Sequence, residues 1–93
     1  MQSTNKSATN KLVRAFGNII KRHRLLLDKT MYRISAECGI HKDSWRLIER
    51  GLVNDIKIST IWKIAEGLDI PLDELIRELR EELGEKFSLT ELD

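Results

Sequence analysis

Apolar residues recur three or four positions apart along most of the chain, which is the spacing of one face of an α-helix. The first such series occupies Leu12, Phe16, Ile19, Ile20, His23 and Leu27, with His23 as its one polar member. Asn10 stands just before the series, and its short side chain is suited to capping the first amides of a helix. The pattern therefore predicts a first helix from about residue 11 to Leu27.

Two shorter series follow, each bounded by a capping residue and a glycine. Thr30 is a good N-cap for a second helix, which Gly39 ends, and a third helix starts at about His41 and ends at Gly51. The inward positions of these two helices are Ile34, Cys38, Trp45 and Ile48. The segment from residue 51 to 58 lacks helical spacing and is predicted to be a loop.

The last part of the chain carries two more helical patterns. Ser59 can cap a fourth helix, Pro71 suits the first position of a fifth, and Gly84 ends it. The inward positions of the fourth helix are Ile61, Ile64, Ala65 and Leu68. The apolar pattern of the fifth comprises Leu72, Leu75, Ile76, Leu79 and Leu83, of which the first three are expected to close the core. No alternating pattern competes with this interpretation, so the sequence predicts an all-α fold of five helices.

The two tryptophans have two possible roles, packing in the core or stacking on the bases of a single-stranded nucleic acid. Trp45 and Trp62 both fall on inward positions of their predicted helices. We therefore expect both to belong to the hydrophobic core.

Composition and charge narrow the class of protein. The 93 residues, of which 41% are apolar, suffice for one domain with a modest core. Residues 1–68 hold 13 Lys and Arg against 6 Asp and Glu, a charge of +7. Residues 69–93 hold 3 Lys and Arg against 9 Asp and Glu, a charge of −6, so the net charge of +1 is the sum of two oppositely charged segments. A basic body with an acidic end is typical of a polyanion-binding domain that also has a solvated or partner-binding segment.

Several classes of function lack the residues that they need. The chain has no glycine-rich phosphate loop and no nucleophile with a plausible base, so we expect no enzymatic activity. His23, His41 and Cys38 are too isolated to form a metal site, and no cofactor is indicated. A lone cysteine gives no internal disulfide, and neither an export signal nor a membrane span is evident. We expect a cytoplasmic protein.

The stretch TMYRISAECGIHKDSWRLIER, residues 30–50, joins two short helices through Gly39, the geometry of a helix-turn-helix. It resembles the Xre and Cro-type, lambda-repressor-like family of transcriptional regulators, with small Ser35 where the family usually has Ala and apolar residues at Ile34, Cys38, Ile40, Trp45 and Ile48. FGNIIKRHR and TIWKIAEGLDIPLDELI extend the resemblance over residues 15–79. It implies double-stranded DNA as the partner, read by the third helix.

The resemblance also implies roles for individual residues. Arg24 is expected to form a salt bridge with Glu49 that ties the first helix to the third. Base edges would be contacted by Lys42, Asp43 and Leu47, and phosphates by Arg24, Met31, His41, Ser44, Arg46, Arg50 and Asn54. Two positions depart from the family pattern: Met31 replaces a common Gln and offers only its backbone amide, and the loop before Asn54 is one residue longer.

Each base-reading assignment has a simpler alternative. Lys42 can donate to guanine or remain an ordinary solvated lysine. Asp43 can accept from cytosine N4 or only favour the dipole of its helix. Leu47 can contact a thymine methyl group or be one of the isolated exposed leucines common on protein surfaces.

The pattern divides the chain into a flexible tail (residues 1–10), a helix-turn-helix domain (11–79) and an acidic C-terminal extension (80–93). Leu79, Leu83 and Phe87 repeat every four residues beyond the family's usual end, followed by Leu89 and Leu92. A second copy of the chain could bury this stripe in a homodimer on an inverted-repeat operator, or the stripe could fold back on its own domain. The rival function is a protein-interaction module, such as an antitoxin with the same fold.

Overall fold

The computed structural model describes residues 6–91 and contains five helices in that range. They are α1 (Lys6–Leu26), α2 (Met31–Glu37), α3 (Lys42–Glu49), α4 (Ile58–Leu68) and α5 (Leu72–Leu83). Residues 6–91 contain no strand, so the predicted all-α fold of five helices is confirmed. Residues 84–91 follow α5 as turns and irregular backbone.

One hydrophobic core joins all five helices. Its buried members are Phe16, Ile19, Ile20, Ile34, Cys38, Trp45, Ile48, Ile64, Ala65, Leu68 and Leu75. α1 packs against α3, α4 and α5, while α2 packs against α3 and α4. The core therefore fixes α2 and α3, which are too short to be stable alone, on a scaffold made by the longer helices.

The first helix begins earlier than predicted. α1 starts at Lys6, so Asn10 lies inside the helix and does not cap it, and the last five residues of the expected tail are helical. Ala8 is half-buried, and it lines a cleft together with Lys11 and with Phe87 and Ser88 of the C-terminal segment. The C-terminal segment thus lies beside the first turns of α1, a tertiary contact that no local pattern indicates. Residues 1–5 of the expected tail lie outside the described residues.

The start of α4 also differs from the prediction. Lys57 occupies the N-cap position with an extended backbone and makes no side-chain capping bond, so Ser59 stands in the first turn and is not the cap. Ile56 is half-buried against the core just before the helix. Packing of this side chain fixes where the chain enters α4, and it outweighs the local capping preference of serine.

The prediction for Trp62 is wrong, whereas that for Trp45 is confirmed. Trp45 is completely buried, but Trp62 is 55% exposed. α4 has more apolar residues than one face can bury, and the core takes Ile64 and its neighbours. Trp62 and Ile58, one turn apart, are left together on the outer side of the helix.

The fifth helix is shorter and better covered than the apolar stripe suggests. It ends at Leu83, followed by Gly84 with a φ of 88°, so Phe87 is not part of a helical stripe. Leu75 is buried and Leu79 packs on the core, while Ile76, expected inside, is 39% exposed. Leu83, Phe87 and Leu89 are half-buried in their own chain, and Leu92 lies outside the described residues.

Cys38 is a core residue at the end of α2. Its side chain is buried, and its Sγ lies 3.9 Å from the backbone oxygen of Ile64. Burial raises the pKa of the Cys38 thiol to about 11, so the group stays protonated at neutral pH. The thiol therefore helps to hold α2 against α4.

Candidate nucleic-acid interface

The helix-turn-helix is built by two side-chain caps and one glycine. The Thr30 side chain accepts a hydrogen bond from the Arg33 amide at 3.1 Å and opens α2, as predicted. Gly39 has a φ of 68°, a conformation that most other residues avoid, and it turns the chain between the helices. Nδ1 of His41 accepts from the Asp43 amide at 3.1 Å and caps α3, which leaves Nε2 to carry the proton.

The two faces of α3 differ sharply. Trp45, Ile48 and Glu49 are buried against the rest of the domain. The other side chains of α3 and its caps are exposed to solvent: His41, Lys42, Asp43, Ser44, Arg46, Leu47 and Arg50. Every α3 residue assigned to DNA therefore lies on one open surface, which we call the recognition face.

Charges on the recognition face are unevenly paired. Asp43 lies 3.7 Å from Arg46 and 3.9 Å from His41, distances between a carboxylate oxygen and a side-chain nitrogen. Within the described part of the chain, Lys42 and Arg50 have no acidic partner. The unpaired cations Lys42 and Arg50 are thus at the two ends of α3, and the paired Arg46 lies between them.

A buried ion pair holds α3 to α1. Nε and Nη2 of Arg24 donate to the two carboxylate oxygens of Glu49 at 2.9 and 2.7 Å, and Nη1 donates to the Lys29 backbone oxygen at 2.9 Å. The Trp45 indole nitrogen also donates to Glu49, at 2.6 Å. The hydrogen bonds with Glu49 raise the pKa of Arg24 above its ordinary value, against the opposing effect of burial. Two donors of Arg24 thus tie Glu49 to α1, and the Trp45 donor, on α3 itself, holds the carboxylate in place.

Close contact between backbones fixes the same junction. A Cβ on Gly17 of α1 would lie 2.5 Å from the backbone oxygen of Glu49, and one on Gly51 would lie 2.8 Å from Cα of Arg14. Neither position has room for a side chain, because α1 passes directly over the end of α3. The C-terminal end of the recognition helix is therefore set against the middle of α1.

The remaining predicted site residues border the recognition face. Met31 is half-buried against the core, so its side chain is used in packing while its amide stands in the first turn of α2. Asn54 is exposed in the loop between α3 and α4. That loop shares a cleft with Ser44 and Leu47 of the recognition face.

Lys57 is a candidate contact that the sequence pattern missed. It lines the cleft shared by the α3–α4 loop and the recognition face, and it is exposed at the N-cap of α4. The local preference for Ser59 as a cap had placed Lys57 inside a featureless loop. The signal that could have found Lys57 is the apolar Ile56. A prediction that Ile56 packs on the core would have started α4 directly after it and placed Lys57 at the N-cap, next to α3.

The acidic end of the chain pairs with α1. His23 Nε2 lies 2.9 Å from Glu78 Oε1, and Arg22 Nη1 lies 3.4 Å from Glu82 Oε1. α5, which packs against α1, therefore pairs two of its acidic side chains with basic side chains of α1. The polar His23 on the apolar stripe of α1 is explained by this pair.

Residues 6–91 contain neither a cluster of metal-binding side chains nor a helix that could span a membrane. No group of three or more His, Cys, Asp and Glu side chains in this range could hold a metal ion. None of the helices in the same range is long and apolar enough to cross a membrane.

Comparison with known proteins identifies the family. Residues 20–75 match a helix-turn-helix family model, HTH_3, which spans more than half of the 93 residues and includes α2, α3 and α4 completely. No curated protein matches the chain. The fold, the helix-turn-helix and this match agree, and the chain belongs to the lambda-repressor-like, Xre-type helix-turn-helix family of DNA-binding transcriptional regulators.

Proposed function

We propose that the protein is a cytoplasmic, sequence-specific repressor that binds double-stranded DNA as a homodimer on an inverted repeat. The observation that carries this proposal is the recognition face, where Lys42, Leu47 and Arg50 are exposed on a helix whose other side is fixed by buried Glu49. A rigid, basic helix of this kind fits the major groove of a duplex. A dimer seated on an operator excludes other proteins from that DNA, which is why we favour repression.

Three residues would read bases. Lys42, at the first position of α3 and free of acidic partners among the described residues, would donate to guanine O6 and N7. Leu47 is 45% exposed and would contact a thymine methyl group. Asp43 would accept from cytosine N4, with the nearby Arg46 guanidinium lowering the repulsion between its carboxylate and the phosphates.

Phosphate contacts would surround these base contacts and fix the orientation of α3. His41 would donate through Nε2, and the Met31 amide would act at the start of α2. The other candidates are Ser44, Arg46, Arg50, Asn54 and the small exposed part of Arg24, to which we add Lys57. Because three donors of Arg24 are already used, its contribution would be mainly to hold α3 in place.

A homodimer would match the two-fold symmetry of an inverted repeat. The candidates from the sequence were Leu79, Leu83 and Phe87, but these side chains are at least half-buried in their own chain. Ile58 and Trp62 form a more exposed apolar pair, 68% and 55% accessible, on one face of α4. We therefore place the contact with the second copy at α4.

The exposed pair on α4 also supports the second candidate function, a module that binds a different protein. A hetero-partner would cover Ile58 and Trp62 without requiring the basic residues of the recognition face. Both functions can be combined in one regulator that binds its partner while it is on DNA. Copurification of the full chain with its genomic neighbours distinguishes a second copy from a different protein.

Selection of binding sites from a random duplex library tests the proposed function. The wild-type chain should enrich an inverted repeat with half-sites roughly 34 Å apart, which is about one helical turn. Lys42→Ala should lose about 1 to 3 kcal/mol of specific binding and change the preferred base at one position. Arg50→Ala should weaken all sequences alike, because a phosphate contact carries no sequence information. No enrichment by the wild-type chain would reject the function, and unchanged preference in Lys42→Ala would remove Lys42 from the base-reading set.

A further inference from the structure

A cleft of about 640 Å³ lies between α1 and the C-terminal end of α3, and it borders the recognition face at Arg50. Its lining includes Arg14, Asn18 and Lys21 of α1 and Arg50 of α3. None of the three α1 residues has a role in the function proposed above. Arg14 and Asn18 also lie before residue 20, where the match to the family model starts.

The three α1 residues form one polar stripe. They are spaced four and three residues apart, so they share a face of the helix, and all three are exposed. At 1.5 Å per residue, the stripe runs for about 10 Å along α1. The close approach of α1 to Gly51 and Glu49 sets this face directly beside the end of α3.

The cleft is strongly basic. Arg14, Lys21 and Arg50 have no acidic partner among residues 6–91, and the one acid in the lining, Glu49, is neutralised by Arg24. Three unpaired cations around one concave surface are complementary to a run of anionic groups. The amide of Asn18 lies on the stripe between Arg14 and Lys21 and supplies a neutral donor.

The position of the cleft favours one source of anions. Arg50 and Met31, both proposed to contact phosphates, also line it. A DNA backbone that passes these two residues would continue into the cleft. We infer that Arg14, Asn18 and Lys21 bind phosphates of the same duplex outside the segment read by α3, so that α1 extends the footprint of the protein. This inference rests on the proposed DNA binding.

The test uses one double variant that carries both Arg14→Gln and Lys21→Gln. Its affinity for the selected operator is compared with that of the wild type across a range of salt concentrations. The slope of log K against log salt should fall by about 0.9 for each phosphate that the variant no longer neutralises, so the double variant should show a slope smaller by about 1.8 per protomer. Its base preference should be unchanged. The matched control is the double variant Arg77→Gln/Arg80→Gln, which removes the same charge from two exposed arginines of α5 and should keep the wild-type slope. Arg14→Lys, which retains the charge, should bind like wild type.

Ethylation interference locates the contacts. Phosphates whose ethylation blocks wild-type binding, but not binding by the double variant, should lie outside the bases specified by α3. An unchanged slope and interference pattern in a folded double variant would overturn the inference, and so would saturable binding of inorganic phosphate in the cleft with no effect of the variants on DNA. These outcomes differ from failure of the proposed function, in which the wild-type chain itself selects no duplex.

Discussion

The Glu49 side chain ties the recognition helix to α1. Its carboxylate accepts two hydrogen bonds from Arg24 and one from Trp45, and the side chains of the Arg24–Glu49 pair are 11% and 5% exposed. A buried charge that loses its partner keeps the cost of desolvation without the compensating attraction. The pair is therefore a requirement for stability as well as for the geometry of α3.

Arg24→Met should destabilise the fold by about 3 to 5 kcal/mol, because it leaves the Glu49 carboxylate buried with the Trp45 donor alone. Urea unfolding followed by circular dichroism measures the change. Arg22→Met is the matched control, since its pair with Glu82 is exposed and should contribute less than about 1 kcal/mol. Equal effects of the two substitutions would show that the buried pair has no special role.

Among the helices, the sequence pattern suggests that α5 leaves an apolar stripe for a partner and that α4 buries its apolar residues, but the structure shows the reverse. α5 has the longer apolar stripe, yet Leu79 packs on the core, and the segment after Leu83 lies against the start of α1. α4 is shorter but leaves Trp62 and Ile58 open to solvent. Of these two helices, α4 therefore offers the more exposed apolar surface.

Trp62→Glu should convert a homodimer to a monomer without loss of helical content, because the side chain is exposed in the single chain and buried only in the proposed contact. Light scattering and sedimentation at micromolar concentration measure the change. Leu83→Glu should instead lower the free energy of unfolding by about 1 to 2 kcal/mol and leave the dimer intact. Lys63→Glu, on the same helix, is the control for added negative charge.

Three results would contradict this arrangement. A wild-type chain that is monomeric both free and on DNA rejects the dimer. A dimeric Trp62→Glu variant moves the contact away from α4. Dissociation by Leu83→Glu in a fully folded chain would restore the α5 stripe as the interface.

For the whole molecule, the separation of charge is the property that matters for function. Glu78 and Glu82 of α5 pair with His23 and Arg22 of α1, while the unpaired cations lie on the recognition face and in the cleft between α1 and α3. The protein therefore has a basic surface directed at a polyanion although its net charge is only +1.

Affinity for duplex DNA should fall steeply as salt rises. If a dimer contacts on the order of six phosphates, the slope of log K against log salt should be near −5. Phosphate contacts in the cleft between α1 and α3 would make the slope steeper. Fluorescence anisotropy with a labelled operator measures it, and a flat titration would show that electrostatic contacts with phosphates do not dominate binding.

The sequence alone determined the number of helices, the helix-turn-helix and the salt bridge between Arg24 and Glu49, because each depends on local rules or on the family pattern. Thr30 caps α2 through its own side chain, Gly39 takes a conformation that other residues avoid, and the inward spacing of Trp45 is a property of one helix. The pairing of Arg24 with Glu49 was expected from the resemblance and is present in the structure.

Only the tertiary structure decided which apolar and charged residues stay exposed. Trp62 and Leu83 both belong to helical apolar patterns, but their exposure depends on how much of each helix is covered by neighbouring elements. The spacing of apolar residues along the chain does not reveal that covered area. The start of α1 depended on a C-terminal segment far away in the sequence, and the α1 cleft exists because Gly17 and Gly51 let α1 approach the end of α3. Local preferences are decided within a few residues, whereas surfaces are decided by contacts between distant ones.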